Sequence, residues 1–217
     1  MAANLSTHLI IQAYQTRSGN TDRTQVIPEA NGQTFLQGSP LTLVSGYVTA
    51  WAGPIASGTP PGATTGLVGF AKQNGQNLSG TVGASAPAQP FGSIPQPGTA
   101  YTFGNPQFEP SAVFIAEGSP FSDGRTIFTE ANADTIFIGQ FDNDTGSNYT
   151  PTQAMLGESF GLTADANNYY YVDGGKTSIG TSTVVVIVGF DPISGAGVPN
   201  GNVLFQVLLG QEQFLHA

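Results

Sequence analysis

The sequence predicts an all-β protein built of small barrel or sandwich regions, with long loops and an extended N-terminal arm. Its short apolar segments are rich in β-branched and aromatic residues, and turn signals such as Asp-Gly and Asn-Gly separate them. No segment shows the sustained 3.6-residue period of an amphipathic helix. Glycine (29 residues) and proline (15 residues) are abundant in a chain of 217, which favours many loops.

The elements predict three regions along the chain. Residues 1–33 form the extended arm, with a possible strand at 8–14 and a second extended stretch at 26–28. The first β-rich region, 34–103, contains strands at 41–44, 47–51 and 66–71 and a long Pro/Gln/Ser loop at 83–99. The second, 104–217, contains strands at 111–117, 126–128, 134–141, 168–173, 182–190 and 202–209. Residues 153–160 favour a helical turn, residues 184–188 a central strand, and no internal repeat of fixed period is visible.

The charge pattern limits the class of partner. Charged residues make up 9% of the chain, against about 25% in an ordinary soluble domain. The first 28 residues carry two arginines and one aspartate, whereas the rest holds three cations and 13 of the 14 acidic residues. Such an acidic body repels phosphate, so we expect no nucleic-acid partner. So few charges predict a surface that other copies or partners cover.

Cysteine is absent, which excludes a disulfide framework and a thiolate metal site. The longest aliphatic run, 184–188, is far shorter than the ~20 residues that cross a bilayer. The N-terminus lacks the basic and apolar parts of a secretory signal. We therefore expect a soluble protein made in the cytoplasm, with no membrane partner.

Residues 157–161 match the G-x-S-x-G pattern of a hydrolase nucleophile elbow around Ser159. The elbow requires a helix after the serine and a well-held histidine downstream, and the only downstream histidine is His216, beside the C-terminus. A turn entering a strand explains the pattern better. A serine hydrolase is a remote alternative, and we predict no catalytic residue.

Two further motifs suggest ions or phosphate. Residues 173–178 end like a phosphate-binding loop but lack its first glycine, which favours a hairpin turn. The stretch from Asp142 resembles the first half of a calcium loop, although Gly146 and Gln153 occupy ligand positions. We predict no cofactor and no metal site, and keep calcium near Asp142 and Asp144 as an open alternative.

Aromatic residues suggest another alternative, a carbohydrate-binding module. Trp51 and Tyr47 are spaced to share one face of a strand, and the three tyrosines at 169–171 alternate between faces. Either group could provide a stacking platform for sugars, but a place in the core or in a subunit interface explains them better.

Two parts of the chain resemble tailed-bacteriophage capsid decoration (cement) proteins. The first runs from Phe35-Leu36-Gln37-Gly38-Ser39-Pro40-Leu41 through 46–51 to Gly66-Leu67-Val68-Gly69-Phe70-Ala71. The second, 157–162 followed by 169–173 and 186–190, is similar to a small barrel of phage structural proteins.

This resemblance implies a structural virion protein made in the host cytoplasm. It would bind the outside of an assembled capsid, with the major capsid protein and its own copies as partners. A homotrimer is favoured, a dimer is possible, and a tail-associated module is an alternative. The residues we expect to contact the shell or neighbouring subunits lie in the arm: Leu9, Ile11, Tyr14, Arg17 and Arg23.

Overall fold

The computed structural model describes residues 9–30, 33–44, 46–53, 66–75, 125–143, 149–177 and 182–212, and it confirms the all-β prediction. Two single 3₁₀ turns, Gln153–Met155 and Leu209–Gln211, accompany the strands. The strands are β1 (Gln12–Thr16), β2 (Thr24–Pro28), β3 (Pro40–Val44), β4 (Tyr47–Ala50), β5 (Gly69–Ala71), β6 (Arg125–Glu130), β7 (Thr135–Asp142), β8 (Ser159–Ala164), β9 (Tyr170–Asp173), β10 (Val185–Phe190) and β11 (Asn202–Val207). No helix in these ranges is long and apolar enough to span a membrane.

Strands β7 to β11 form a closed five-stranded barrel, which we call the C-terminal repeat. The sheet order is β7-β11-β10-β8-β9, and all of these neighbours are antiparallel. A parallel pairing of Phe141 with Val172 and of Asp142 with Asp173 joins β7 to β9 and closes the ring. Strand β1 adds to β7 from outside the ring.

Strands β2 to β6 have the same arrangement, and we call them the N-terminal repeat. Their order is β2-β6-β5-β3-β4, again antiparallel throughout. A parallel bridge between Glu29 and Val48 brings the first and third strands together, and the Ala30 N–H donates to the Val48 carbonyl at 2.8 Å. The two sheets are therefore built on one topology.

The two repeats also agree in register. Val68 and Val184 occupy equivalent places, since their N–H groups donate to the carbonyls of Leu41 and Phe160, respectively. Before the second strand, Gly38 and Gly157 both adopt left-handed φ angles, of 83° and 86°. Their N–H groups donate to equivalent carbonyls, those of Ala71 and Ile187, at 2.8 Å. The sequence shows no period because the loops between equivalent strands differ in length.

Each repeat has its own apolar interior, and Phe70 packs from the N-terminal repeat into the core of the other. Leu41, Val48 and Phe128 pack inside the N-terminal repeat. Phe70, on β5 of that repeat, packs instead in the larger core of the C-terminal repeat. Its ring centroid lies 4.6 Å from Phe137 and 5.9 Å from Phe205. The repeats therefore share a continuous apolar contact.

Both ends of the described chain cross to the other repeat. Strand β1 precedes the N-terminal repeat but pairs with β7 of the C-terminal repeat. After β11, the Gln211 carbonyl accepts from the Leu67 N–H at 2.7 Å, and Glu212 forms a bridge with Leu67, just before β5. The C-terminal repeat thus includes a strand from the N-terminal end of the described chain, and the N-terminal repeat contacts the segment after β11.

Most predicted strands have counterparts, with some differences. Strand β8 begins at Ser159, where the pattern at 157–161 predicted a turn entering a strand, and the helical turn favoured at 153–160 is limited to the 3₁₀ turn Gln153–Met155. The strand predicted at 111–117 lies outside the described residues, as does the loop at 83–99. Strand β6 follows residue 104 but pairs with β2 and β5, so the sheets do not divide where the sequence suggested a boundary.

Candidate interaction surface

The segment predicted as an arm is paired with the body of this chain. Strand β1 is antiparallel to β7, and β2 is antiparallel to β6. The segment before β1 passes close to Gly38, where a Cβ atom would lie 2.9 Å from the Ile11 nitrogen. A side chain at Gly38 would therefore displace the N-terminal segment.

The structure distributes the five predicted contact residues between core and surface. Ile11 is 2% exposed and belongs to the core shared by the two repeats, so it is not accessible to a partner in this fold. Leu9 is half-buried. Tyr14, Arg17 and Arg23 are exposed and remain the predicted contact residues.

Tyr14 is exposed because β1 contains a β-bulge. The register with β7 shifts between Ala13, opposite Phe137, and Gln15, opposite Ile136, which leaves Tyr14 as the extra residue. Its side chain is 47% exposed. A bulge bends an edge strand and interrupts the regular row of hydrogen-bonding groups. The outer edge of β1 is thus a poor template for a further strand, but it presents an aromatic ring.

The turn between β1 and β2 is held to the start of β7 by Asp134. The Arg17 N–H donates to the Asp134 carbonyl at 2.9 Å, and the Ser18 N–H donates to the Asp134 carboxylate at 2.8 Å. The hydrogen bonds from Ser18, aided by the positive charge of Arg23, lower the pKa of Asp134. Neither arginine forms an ion pair with another residue that the structure describes. Both residues are exposed.

A cavity of about 230 Å³ lies between this N-terminal segment and the N-terminal repeat. Its lining includes Gln12, Phe70 and the ion pair of Lys72 with Asp22, whose Nζ and Oδ2 atoms are 3.3 Å apart. Pockets for small molecules usually measure about 300–1,000 Å³. The cavity is therefore small for such a ligand and belongs to the packing around β1.

The acidic residues considered for calcium have other roles where they are described. Burial raises the pKa of Asp142, which lies next to Asp173 in the β7–β9 pairing. Asp173 is buried, accepts a hydrogen bond of 2.6 Å from the Thr163 hydroxyl and lies 3.7 Å from the Lys176 ammonium. Asp144 lies outside the described residues. Within them, no group of three or more His, Cys, Asp or Glu side chains is arranged to hold a metal.

The aromatic and serine motifs occupy structural positions. Trp51 is 6% exposed and packs in the core with Phe70, so its indole is not a platform for sugars in this fold. Tyr171 is buried, and its neighbours at 169 and 170 are half-buried. Ser159 is the first residue of a strand, not of the helix that a nucleophile elbow requires. His216 lies outside the described residues.

Sequence reasoning missed one part of this surface, the edge of β2 that faces away from β6. Residues 24–26 are exposed along their length. The alternation of Thr24, Gln25 and Val26 is too short to indicate a strand from the sequence, although Val26 is β-branched. The edge is identified by comparing β2 with β7, the equivalent first strand of the C-terminal repeat, which has β1 along its second edge.

No family model matches the chain, and comparisons with curated proteins and with solved structures also find no match.

Proposed function

We propose that this protein is a structural component of a phage virion that binds the outside of an assembled capsid and stabilises it. The observation that carries the proposal is the contrast between an acidic, sparsely charged β-body and the exposed Tyr14, Arg17 and Arg23 on one N-terminal segment. An aromatic ring and arginines are the side chains most enriched in protein interfaces. The resemblance to cement proteins supports the same conclusion.

The partner in this proposal is the major capsid protein. Arginine pairs well with carboxylates because its planar guanidinium donates two parallel hydrogen bonds. Tyr14 would pack against the shell while Arg17 contacts its acidic groups. Several copies bound as an oligomer, with a trimer or a dimer compatible with the sequence, would engage several shell subunits at once and gain avidity. The protein would be made in the host cytoplasm and act on the capsid exterior.

Cosedimentation with capsids that lack this protein tests the proposal. We expect the purified chain to pellet with the shells and to raise the temperature at which heated shells release their contents. If it neither pellets nor changes that temperature, the proposal is contradicted.

Arg17→Glu is expected to weaken shell binding by about fivefold, since reversing one rim charge changes the binding free energy by roughly 1 kcal/mol. Arg125→Glu is the matched control, because Arg125 is also exposed and lies at the start of β6, opposite Pro28 and outside β1 and the turn that follows it. Binding curves from the same cosedimentation assay compare the two variants. Equal weakening by both would show that only the net charge matters and that this surface is not the contact.

A further inference from the structure

The two repeats differ at the second edge of their first strand. In the C-terminal repeat, β7 pairs with β11 along one edge, while β1 and then β9 fill the other edge. In the N-terminal repeat, β2 pairs with β6 along one edge, and Val48 meets the other edge only at Glu29. Among the described residues, no strand lies along this edge at residues 24–26. The position that β1 fills in one repeat is therefore not filled by a described strand in the other.

The open edge presents backbone hydrogen-bonding groups. The Arg23 carbonyl accepts from the Glu130 N–H on β6. Because bonding direction alternates along an antiparallel strand, Thr24 and Val26 direct their N–H and C=O groups to the opposite edge. The Ala30 N–H, which donates to Val48, has the same orientation. Pro28 has no N–H to offer, so the pairing-competent stretch is short and is centred on Gln25.

From Thr24 to Ile27 this edge lacks lysines, bulges and inward charges, and Pro28 limits the stretch that can pair. Natural edges carry lysines, bulges or inward charges that prevent pairing with another chain. The edge of β1 has its bulge at Tyr14, whereas the register of β2 with β6 is unbroken. No charged residue occurs from Thr24 to Pro28, and Val26 is 41% exposed. The edge is therefore competent to accept a strand.

We propose that the occupant is β2 of a second copy of this chain, paired antiparallel about a twofold axis through Gln25. In this register Thr24 of each copy lies opposite Val26 of the other, so all outward N–H and C=O groups of these residues find partners. Shifting the register by one residue in each chain would place Pro28 opposite Thr24 and remove a donor. A twofold interface uses the same patch on both copies, and this edge complements itself. It selects the dimer among the oligomers that the sequence allows.

A single cysteine tests the proposed register, because the chain contains none of its own. In the twofold pairing Gln25 faces its counterpart as a non-hydrogen-bonded pair, with Cα atoms about 4.5 Å apart, a distance that permits a disulfide. We expect the full-length Gln25→Cys variant to form a covalent dimer under mild oxidation. Val44→Cys, at another exposed strand position, is the control. If the two variants cross-link at equal rates, the proposal is overturned.

Sedimentation equilibrium provides a second test that needs no cross-link. The unmodified chain should form dimers. Val26→Lys should raise the dissociation constant of the dimer by about tenfold or more, since an edge lysine opposes strand pairing. Val44→Lys should leave it unchanged, and circular dichroism checks that both variants fold. A monomeric chain would overturn the proposal. Protection of the Thr24 and Val26 amides from hydrogen exchange in such a monomer would show that the chain's own residues cover this edge. The inference does not depend on capsid binding, which these experiments do not measure.

Discussion

Replacing Phe70 by alanine is expected to lower the free energy of unfolding by about 3–5 kcal/mol. The ring is almost fully buried, and it packs against Phe137 and Phe205 of the other repeat. Its removal leaves a cavity at the junction of the repeats, and the cavity can be filled only if one repeat moves relative to the other. Urea unfolding followed by the fluorescence of Trp51 measures the loss, because this single tryptophan lies in the same core.

Val44→Ala is the control for this experiment, since Val44 is an exposed apolar residue on β3. We expect it to change stability by less than about 0.5 kcal/mol. If Phe70→Ala lost no more than this control, the aromatic contact between the repeats would contribute nothing to their stability.

Glu212→Gln is expected to stabilise the protein at pH 8 by about 2–3 kcal/mol and to have little effect at pH 5. Glu212 is fully buried, and neither of its carboxylate oxygens has a hydrogen-bond partner in the part of the chain that the structure describes. Burial raises its pKa from 4.5 to about 7. Glutamine keeps the shape of the side chain but cannot become charged.

The sign follows from the direction of this shift. Because the folded-state pKa lies above the unfolded one, the folded chain binds more protons between pH 4.5 and about 7. The contribution of Glu212 to stability is therefore most favourable below pH 4.5, declines as the pH rises through this window and stays low above it. Urea unfolding at pH 5 and pH 8 measures the difference. Glu158→Gln, at an exposed position, is the control, and an equal effect of Glu212→Gln at both pH values would refute the prediction.

The sequence predicted the class of fold and most strands because each strand is a short apolar run bounded by turn residues. The central strand predicted at 184–188 is confirmed, since β10 lies between β8 and β11. The pattern at 157–161 predicted a turn entering a strand, but not the extent of β8 to Ala164, because Gly161 interrupts the apolar pattern. The repeat was missed because equivalent core positions share only apolar character, as at Leu41 and Phe160 or Ala71 and Ile187. Register, not residue identity, relates the two halves.

The candidate surface could be predicted only in part. Composition identified the N-terminal segment as distinct in charge, and Tyr14, Arg17 and Arg23 are indeed exposed. Alternation along a strand separates two faces but does not say which face another element covers, so Ile11 was predicted as a contact residue although it lies in the core. For Trp51 the core was one of the favoured places, and the structure confirms it. The open edge of β2 depends on which strand lies beside it, a non-local property that a single sequence does not contain.

The exchange of end segments between the repeats has a consequence for a broken chain. Protease cleavage at Asn132 or Ala133, between β6 and β7, would leave two fragments that do not come apart freely. The first fragment would contribute β1, which pairs with β7 of the second, and the second would contribute Glu212, which forms a bridge with Leu67 of the first. The nicked molecule should therefore migrate as one particle on a sizing column, and separately expressed halves should complement each other when mixed.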